Sequence, residues 1–421
     1  MSYNQVLNKK LDALQEKLRS VEPDRRAYVI LLVGIVYLGA LITVDQLIVR
    51  EPLTEIVGPT PDVPYYRERT QTVLDGGWLY RDIRCESPPL IVYFMLPAQL
   101  LGGEDWIYEI YFSSYQILTA LLFYYGLRKW DDYKAFACAL LIYAVPFETV
   151  ESTFGIQDES IVVFLFFLSA ILALHRRFKL SAALVAIGIW TKVFSVMLYP
   201  SLFLAVKKRR ERLAHLLIIV IVSIVISIPF LIVTPGEFLS FPSYYFLEGG
   251  TGPAGGDSLW GFLAMGGLSI PRSVLLITLA IALSISIYYV AKKKLGFWSG
   301  TLVIVVAFLL FYPRTAMGYY IFPILMLIVW AVENKKVAFR CFTTYVPFFA
   351  ALAFSKNNVN GVPLFDYPWS WIAGFILVFI GTVMLLDTVR LALRTTPFIE
   401  RNTEYEKSQI STNRKFNGSS N

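Results

Sequence analysis

Charged side chains are scarce in this sequence. They make up 16% of the 421 residues, whereas a soluble domain has about 25%. Apolar residues make up 56%, and the mean hydropathy is +0.57. This balance excludes an ordinary soluble protein and predicts an all-α polytopic membrane protein.

Cysteine and histidine are nearly absent. The chain has three cysteines (Cys85, Cys138, Cys341) and two histidines (His175, His215), and no CxxC motif. These numbers argue against a disulfide framework, a zinc site and Cys/His catalysis. We therefore expect no metal and no cofactor.

A cleavable leader is not expected either, because residues 1–27 are polar and have a helical pattern. We predict an amphipathic cytoplasmic segment there, followed by a first span near 28–49 that serves as the signal anchor. Residues 390–421 are polar as well and predict a disordered cytoplasmic tail.

Long apolar runs fill the chain between these two segments. They lie near 28–49, 107–127, 135–147, 160–175, 180–191, 193–206, 214–233, 272–291, 297–312, 319–332, 339–354 and 369–389. The run at 180–206 is flanked by basic residues on both sides, and such clusters stay in the cytoplasm, so we read it as two short spans with an outer turn near 190–193. The prediction is about twelve spans within 28–389, with both termini cytoplasmic.

The same rule assigns the remaining loops. Basic clusters mark the cytoplasmic side at Arg128/Lys129/Lys134, Arg176/Arg177/Lys179, Lys207–Arg212, Lys292–Lys294 and Lys335/Lys336/Arg340. The predicted outer loops are 50–106, 148–159, 234–271, 313–318 and 355–368. The first is the longest, and its apolar stretch Pro88–Leu101 is bounded by acids, which predicts an interfacial helix. Any chemistry is expected to face outward at the cell membrane.

Five polar motifs lie at predicted outer positions. They are Asp62-Val63-Pro64-Tyr65-Tyr66 with Gly77-Trp78-Leu79-Tyr80-Arg81-Asp82 and Pro88-Pro89-Leu90; Phe154-Gly155-Ile156-Gln157-Asp158-Glu159-Ser160; Trp190-Thr191-Lys192; Gly256-Asp257-Ser258-Leu259-Trp260-Gly261; and Tyr312-Pro313-Arg314 with Tyr319-Tyr320. In this order they resemble the GT-C integral-membrane glycosyltransferases. They are most similar to family 87 and to related mannosyltransferases that use polyprenyl-phosphate mannose.

The resemblance implies a GT-C-like helical fold and transfer of a hexose, mannose by the family, from a polyprenyl-phosphate donor. The acceptor is a hydroxyl of a lipid- or protein-linked glycan. The donor must be lipid-linked because nucleotide sugars are cytoplasmic, and no predicted cytoplasmic loop is large enough to bind one. No nucleic-acid partner is expected.

Asp62 matches the family's catalytic acid by its position before Tyr-Tyr, and we interpret it as the general base that such a transfer needs. The alternative is a turn-forming aspartate in a Pro-rich loop. Many relatives carry an acidic pair directly after the first span. This chain has only Asp45 there, which makes Asp45 the second candidate for the base.

Further carboxylates lie near these two. Asp82 and Glu86 precede the predicted interfacial helix, where they would bind acceptor or orient the base, unless they only pair with Arg81 or Arg84. Tyr66 is a candidate for contact with a sugar ring. Glu148, Glu151, Asp158 and Glu159 crowd the second outer loop, and such a cluster needs a cation or polar ligand unless it is simply solvated. Gln157 and Asp158 match the family's Gln-Asp step and are the candidates in this group.

Two cations are candidates for the donor phosphate. Lys192 lies at the outer end of two short spans, and a charge at the membrane edge is costly and therefore indicates function. Arg314 lies in the short outer turn Tyr312-Pro313-Arg314. The alternative for both is a side chain that extends toward the interface.

Two other classes of function fit the same spans. One is a transporter or lipid flippase, although no internal repeat is visible and the ionisable residues lie at the outer rim rather than at the midplane. The other is a polymerase or ligase of lipid-linked glycans, which would share the outward loops.

Overall fold

The computed structural model describes residues 16–52, 62–239, 241, 256–268, 270–313, 315–355 and 367–401. Within these ranges the chain is helical and forms no β-strand beyond one isolated bridge between Leu79 and Ile83. The predicted all-α class is confirmed.

The α-helices follow the predicted apolar runs. In chain order they are α1 (Pro23–Val44), α2 (Val63–Leu74), α3 (Pro89–Leu100), α4 (Asp105–Leu127), α5 (Asp132–Tyr143), α6 (Pro146–Thr149), α7 (Glu159–Leu174), α8 (Phe178–Thr191), α9 (Leu198–Ala205), α10 (Arg209–Val233), α11 (Pro235–Phe238), α12 (Leu259–Met265), α13 (Arg272–Lys293), α14 (Phe297–Phe311), α15 (Ile321–Ala331), α16 (Lys335–Thr343), α17 (Tyr345–Leu352) and α18 (Ser370–Ala392). Two π-helical segments, Asp45–Val49 and Val150–Phe154, and two 3₁₀ segments, Val193–Met197 and Met317–Tyr320, join some of them.

Four helical stretches in the described part are long and apolar enough to cross a membrane. They are Pro23–Pro52, Arg209–Val233, Arg272–Lys293 and Ser370–Ala392. Six further apolar helices have only 10–17 residues, fewer than the roughly 20 that a straight span needs. The protein is membrane-embedded, but the count of twelve spans is not confirmed and remains a prediction.

Burial separates the centre of the bundle from its periphery. Every residue of α15 is buried, as expected for a helix that is apolar on all sides. By contrast, α10 buries only three side chains, and from Leu213 onward many of its exposed side chains are large and apolar. We interpret α15 as the core of the bundle and α10 as a lipid-facing helix.

Local sequence features explain several helix boundaries and contacts. Proline occupies the first turn of α1, α2 and α3, where its missing N–H costs nothing. The Asp131 side chain caps α5 by accepting a hydrogen bond from the Lys134 N–H at 3.0 Å. Gly34 lets α1 approach α5 closely, because a Cβ there would lie 2.5 Å from the Tyr143 hydroxyl oxygen.

The first predicted outer loop contains two helices. The helix α3 confirms a helix at Pro88–Leu101, and α2 precedes it and packs against it. Between them the chain turns at Gly76, whose φ of +82° favours glycine. Asp62 lies directly before α2.

The predicted disordered tail begins too early. Residues 390–392 still belong to α18, and Phe398 and Ile399 are buried. Glu400 accepts hydrogen bonds from the Trp298 N–H and the Ser299 hydroxyl, both at 2.6 Å, at the start of α14. Tail residues up to Arg401 are therefore packed, because their apolar and acidic side chains complete the end of the bundle. Residues 402–421 lie outside the described part.

Candidate functional site

One face of α2 carries the first part of the site. Asp62, Tyr66 and Arg69 are spaced by four and then three residues, so they share a helix face. Asp62 is half-buried, and the Tyr66 ring is buried against Tyr108 and Phe112. Asp62 is thus presented from a packed wall rather than from a solvated turn.

The segment after the second π-helical turn faces this wall. The Gln157 side chain lies close enough to Asp62 to lower the pKa of that carboxyl, and it donates to the Gly155 carbonyl at 3.1 Å. Asp158 and Glu159 follow at the start of α7, and each is only 6% exposed. The structure therefore joins the first and second motifs through Asp62 and Gln157.

Lys192 completes the cluster from the end of α8. Its ammonium donates to Asp158 at 2.9 Å and also pairs with Glu159. The backbone of Lys192 is extended, with φ −160° and ψ 137°, because α8 ends there and a 3₁₀ segment begins. The break between the two short helices directs this side chain to the acidic residues.

The fifth motif approaches the same cation. The Lys192 ammonium lies 5.6 Å from the centre of the Tyr319 ring, within range of a cation–π contact. Tyr319 packs in turn against Phe194, with ring centroids 4.2 Å apart. The first, second, third and fifth motifs therefore converge. Hereafter, Asp62, Gln157, Asp158, Glu159 and Lys192 are called the acidic cluster.

The surroundings of Asp62 in the acidic cluster raise the pKa of its carboxyl group. Burial raises the pKa of Asp62 above its usual range, and the charge of Asp158 raises it further, whereas the Gln157 hydrogen bond and Lys192 lower it. Burial also raises the pKa of the Tyr66 phenol well above its usual value. Tyr66 therefore stays protonated at neutral pH, and Asp62 is the one of the two that can act as a base.

Glu86 connects to the acidic cluster through an arginine. It pairs with Arg69 at 2.9 Å and with Arg84 at 2.8 Å. Arg69 is mostly buried and its charge acts on Asp62. Glu86 thus orients a cation next to the acidic cluster, in addition to the predicted salt bridge with Arg84.

Asp82 is placed differently. It pairs with its neighbour Arg81 at 2.7 Å and accepts from the Trp78 N–H, also at 2.7 Å. These hydrogen bonds lower its pKa to about 2, and the group is exposed. The structure gives Asp82 a local role in the turn and no contact with the acidic cluster.

Asp45 is also placed differently from a general base. Its carboxylate is fully buried in the π-helical turn that ends the first helix, and Arg50 Nε donates to it at 2.9 Å. Its other oxygen, Oδ1, has no hydrogen-bond partner among the described residues, but a side chain that is 0% exposed is closed to an acceptor hydroxyl. Asp62 is therefore the better placed of the two candidate bases.

The fourth motif supports the fifth. The Asp257 N–H donates to the Thr315 carbonyl at 3.0 Å, and the Asp257 side chain pairs with the Ser355 hydroxyl. The Trp260 indole N–H donates to the Leu310 carbonyl at 3.0 Å. This motif therefore fixes the turn that leads to Tyr319.

An apolar groove of about 460 Å³ lies between α3, α8 and α10. Its lining residues are all apolar or aromatic: Leu90, Tyr93, Phe94, Ile187, Ile221, Val222, Val225 and Ile226. Ile221 and Val225 are exposed on the lipid-facing side of α10. Ile187 is its lining residue from α8 and lies five residues before Lys192, so the groove lies beside the half of α8 that ends at the acidic cluster.

The sequence model of glycosyltransferase family 87 matches residues 87–313, which is more than half of the chain. The chain belongs to glycosyltransferase family 87. It is therefore a transferase that takes a sugar donor and an acceptor. No curated protein and no solved structure matches the chain significantly.

The family match begins after Asp62 and includes the second, third and fourth motifs of this family 87 chain. Among the described residues, no three His, Cys, Asp or Glu side chains are arranged to hold a metal ion. Arg314 lies outside the described residues, as do the side chains of Glu148 and Glu151.

Two residues, Arg69 beside the acidic cluster and Glu159 within it, were not predicted as site residues from the sequence. Arg69 lies two turns along the same helix face as Asp62, and a helical count through Tyr66 was the signal that could have found it. Glu159 adjoins Asp158 but stands outside the Gln-Asp step. Its role as a partner of Lys192 needs the fold, because 33 residues separate the two in sequence.

Proposed function

We propose that this family 87 enzyme transfers a hexose, mannose in the first instance, from a polyprenyl-phosphate donor to a hydroxyl of a lipid- or protein-linked glycan. The reaction takes place at the outer face of the cell membrane. The observation that carries the proposal is the meeting of a half-buried aspartate, Asp62, with a cation, Lys192, in one cluster.

In this proposal Asp62 removes the proton from the acceptor hydroxyl. The acceptor oxygen then forms a bond to the anomeric carbon of the sugar, while the bond between that carbon and the phosphate oxygen breaks. The phosphate oxygen keeps the electron pair and leaves as polyprenyl phosphate. A raised pKa suits Asp62 for this step, since a general base works best when its pKa lies near the working pH.

Lys192 stabilises the departing phosphate, with Arg314 proposed as a second cation. In the structure the Lys192 ammonium contacts Asp158 and Glu159. The donor phosphate must therefore share or replace one of these carboxylates. The ammonium of Lys192 is then paired with carboxylates when no donor is bound and with the phosphate when the donor is bound.

The apolar groove supports a lipid-linked donor. Its lining side chains are apolar and aromatic, and Ile187, which contributes to the lining from α8, lies five residues before Lys192. A long isoprenoid chain meets no charged group among the described lining residues and gains van der Waals contacts, because it moves from the lipid tails into the groove rather than out of water. The head group of such a donor would lie at the end of the groove that is nearest the acidic cluster.

The deciding experiment is a transfer assay with purified protein in liposomes. It compares polyprenyl-phosphate mannose, polyprenyl-phosphate glucose and a nucleotide sugar as donors, with a membrane extract as acceptor. Transfer from a polyprenyl-phosphate hexose alone supports the proposal, whereas transfer from the nucleotide sugar contradicts it. A product with many added residues from one lipid carrier indicates a polymerase instead.

Sidedness needs a separate measurement. Single cysteines at Glu68 and at Arg209 are labelled in intact cells with a membrane-impermeant maleimide; both positions are exposed. We expect labelling at 68 and none at 209. Labelling at 209 contradicts the outward orientation of the site.

A further inference from the structure

Two charged residues outside the acidic cluster, the buried Asp45 and the half-buried Arg50, connect the first helix to it. Asp45 is 0% exposed, and Arg50 donates to it through Nε at 2.9 Å and through Nη2. The same Nη2 also donates to the carbonyl oxygen of Phe154 at 3.2 Å. One guanidinium thus joins the end of the first helix to a segment 104 residues later.

Phe154 lies at a sensitive point of that segment. It ends the second π-helical turn, only three residues before Gln157, whose side chain lowers the pKa of the nearby Asp62. Ile156 between them has a φ of +48°, an uncommon backbone for a branched side chain. A strained connection of this kind holds its shape only when the surrounding contacts fix it.

Other contacts fix the earlier part of the segment. The Gln116 side chain donates to the Thr149 hydroxyl at 3.2 Å, and the Ser113 and Thr153 hydroxyls lie 3.0 Å apart. Both come from α4. The Arg50 contact is the one nearest to Gln157 and the only one of these three that involves a charged donor.

From this geometry we infer that Asp45 and Arg50 are positioning residues for the transfer reaction. Asp45 holds the guanidinium of Arg50 in place, and Arg50 holds the Phe154 carbonyl, so that Gln157 and Asp158 stay against Asp62. The inference rests on the proposed function for its effect on transfer. The clamp itself, defined as Asp45, Arg50 and the Phe154 carbonyl, is a structural claim that can be tested alone.

Hydrogen–deuterium exchange of the full-length protein tests the clamp without any substrate. Loss of a charged hydrogen bond typically shifts a local opening equilibrium by about tenfold or more. We therefore expect the amides of 154–158 to exchange about tenfold faster in Asp45→Asn and in Arg50→Gln. The amides of 134–139 in α5 serve as the internal control and should not change. Unchanged exchange at 154–158 in both variants overturns the clamp.

A double-variant cycle tests its role in transfer. Asp45→Asn and Arg50→Gln should each lower kcat/KM by about tenfold, and the double variant should be no slower than the slower single one, because both remove the same contact. Asp45→Asn should keep the acid limb of the pH profile, since Asp62 is still present. If Asp45 is the base instead, Asp45→Asn loses that limb and Arg50→Gln stays near wild type, which overturns the inference.

Two conservative variants guard against misfolding. Asp45→Glu keeps the charge and should recover part of the activity. Arg50→Lys keeps the charge beside Asp45 but lacks the planar fork that contacts two acceptors, so exchange at 154–158 should still rise. If wild-type protein transfers no sugar from any donor while the exchange results hold, the proposed function fails and the clamp stands.

Discussion

The two ends of the bundle both bury carboxylates, but they pair them differently. At the end where α14 begins, Glu400 accepts from Trp298 and Ser299, and Glu333 pairs with Lys134 at 2.9 Å and Arg401 at 2.6 Å. At the other end of α14, about 22 Å away along a helix of 15 residues, the acidic cluster has a different balance.

In the acidic cluster, two carboxylates share the ammonium of Lys192, and Asp62 lies nearby. Glu159 Oε2 is buried without a hydrogen-bond partner among the described residues. Buried charges that are fully paired serve structure, while an excess of buried charge of one sign is retained at functional sites. The comparison assigns stability to the Glu400 end and chemistry to the Asp62 end.

The largest effect is expected for the proposed base. Asp62→Asn is nearly isosteric and should lower kcat/KM for transfer by at least about 100-fold, the usual scale for losing a general base, while the protein stays folded and membrane-inserted. Asp82→Asn is the matched control from the same loop, and it should stay within about twofold because Asp82 pairs only locally. Equal losses in both variants would remove the distinction between these two carboxylates.

Lys192→Ala should come next. Loss of a charge-assisted contact to the donor phosphate costs roughly 2–4 kcal/mol of transition-state stabilisation, measured as kcat/KM for the lipid donor. Lys192→Arg should recover part of this activity.

A triple variant separates the two roles of this lysine. Lys192→Ala leaves Asp158 and Glu159 without their shared cation, which alone destabilises the protein. Adding Asp158→Asn and Glu159→Gln should restore thermal stability but not transfer. Recovery of transfer together with stability would show that Lys192 serves only as a counter-ion.

The pH dependence sharpens the electrostatic side of the comparison. Because burial and Asp158 raise the pKa of Asp62, its basic form is lost at a higher pH than for an ordinary aspartate, and the acid limb of kcat/KM lies above the usual aspartate range. Asp158→Asn removes the like charge and should move this limb to lower pH. Lys192→Ala should move it to higher pH, and shifts of the same sign in both variants would contradict the assignment of Asp62.

The smallest effect on activity is expected at the opposite end. Glu400→Gln should lower stability by about 1–2 kcal/mol, since two charge-assisted hydrogen bonds weaken, measured as a fall in Tm. The kcat/KM of folded protein should not change. Glu211→Gln is the control, because the ion-pair partner of Glu211 among the described residues is the exposed Lys208, at 3.5 Å, and the change should shift stability by less than about 0.5 kcal/mol. A loss of transfer in folded Glu400→Gln would contradict the assignment of stability to the Glu400 end and of chemistry to the Asp62 end.

The sequence predicted the helical class and the positions of the helices, because apolar runs and basic clusters are local signals. It also predicted that Asp62, Gln157, Asp158 and Lys192 belong to one site, through the order of the motifs. The number of spans was harder to predict, since α7, α8 and α14 are shorter than a straight span and their packing against neighbours decides where they lie.

Side-chain pairing was the part that sequence could not supply. The choice between Asp45 and Asp62 depends on Arg50, which is five residues from Asp45 but also reaches Phe154. The packing of 393–401 depends in the same way on Glu400 meeting the start of α14, 102 residues before it. Contacts of this kind arise only when distant segments fold together.

The apolar groove between α3, α8 and α10 has a consequence for how kinetics must be measured. Its exposed wall belongs to a lipid-facing helix. A donor that enters there therefore arrives by lateral diffusion in the plane of the bilayer. The quantity that saturates the enzyme is then the mole fraction of donor in the bilayer and not its amount per litre. Adding inert phospholipid at constant bulk donor should therefore slow transfer by surface dilution alone.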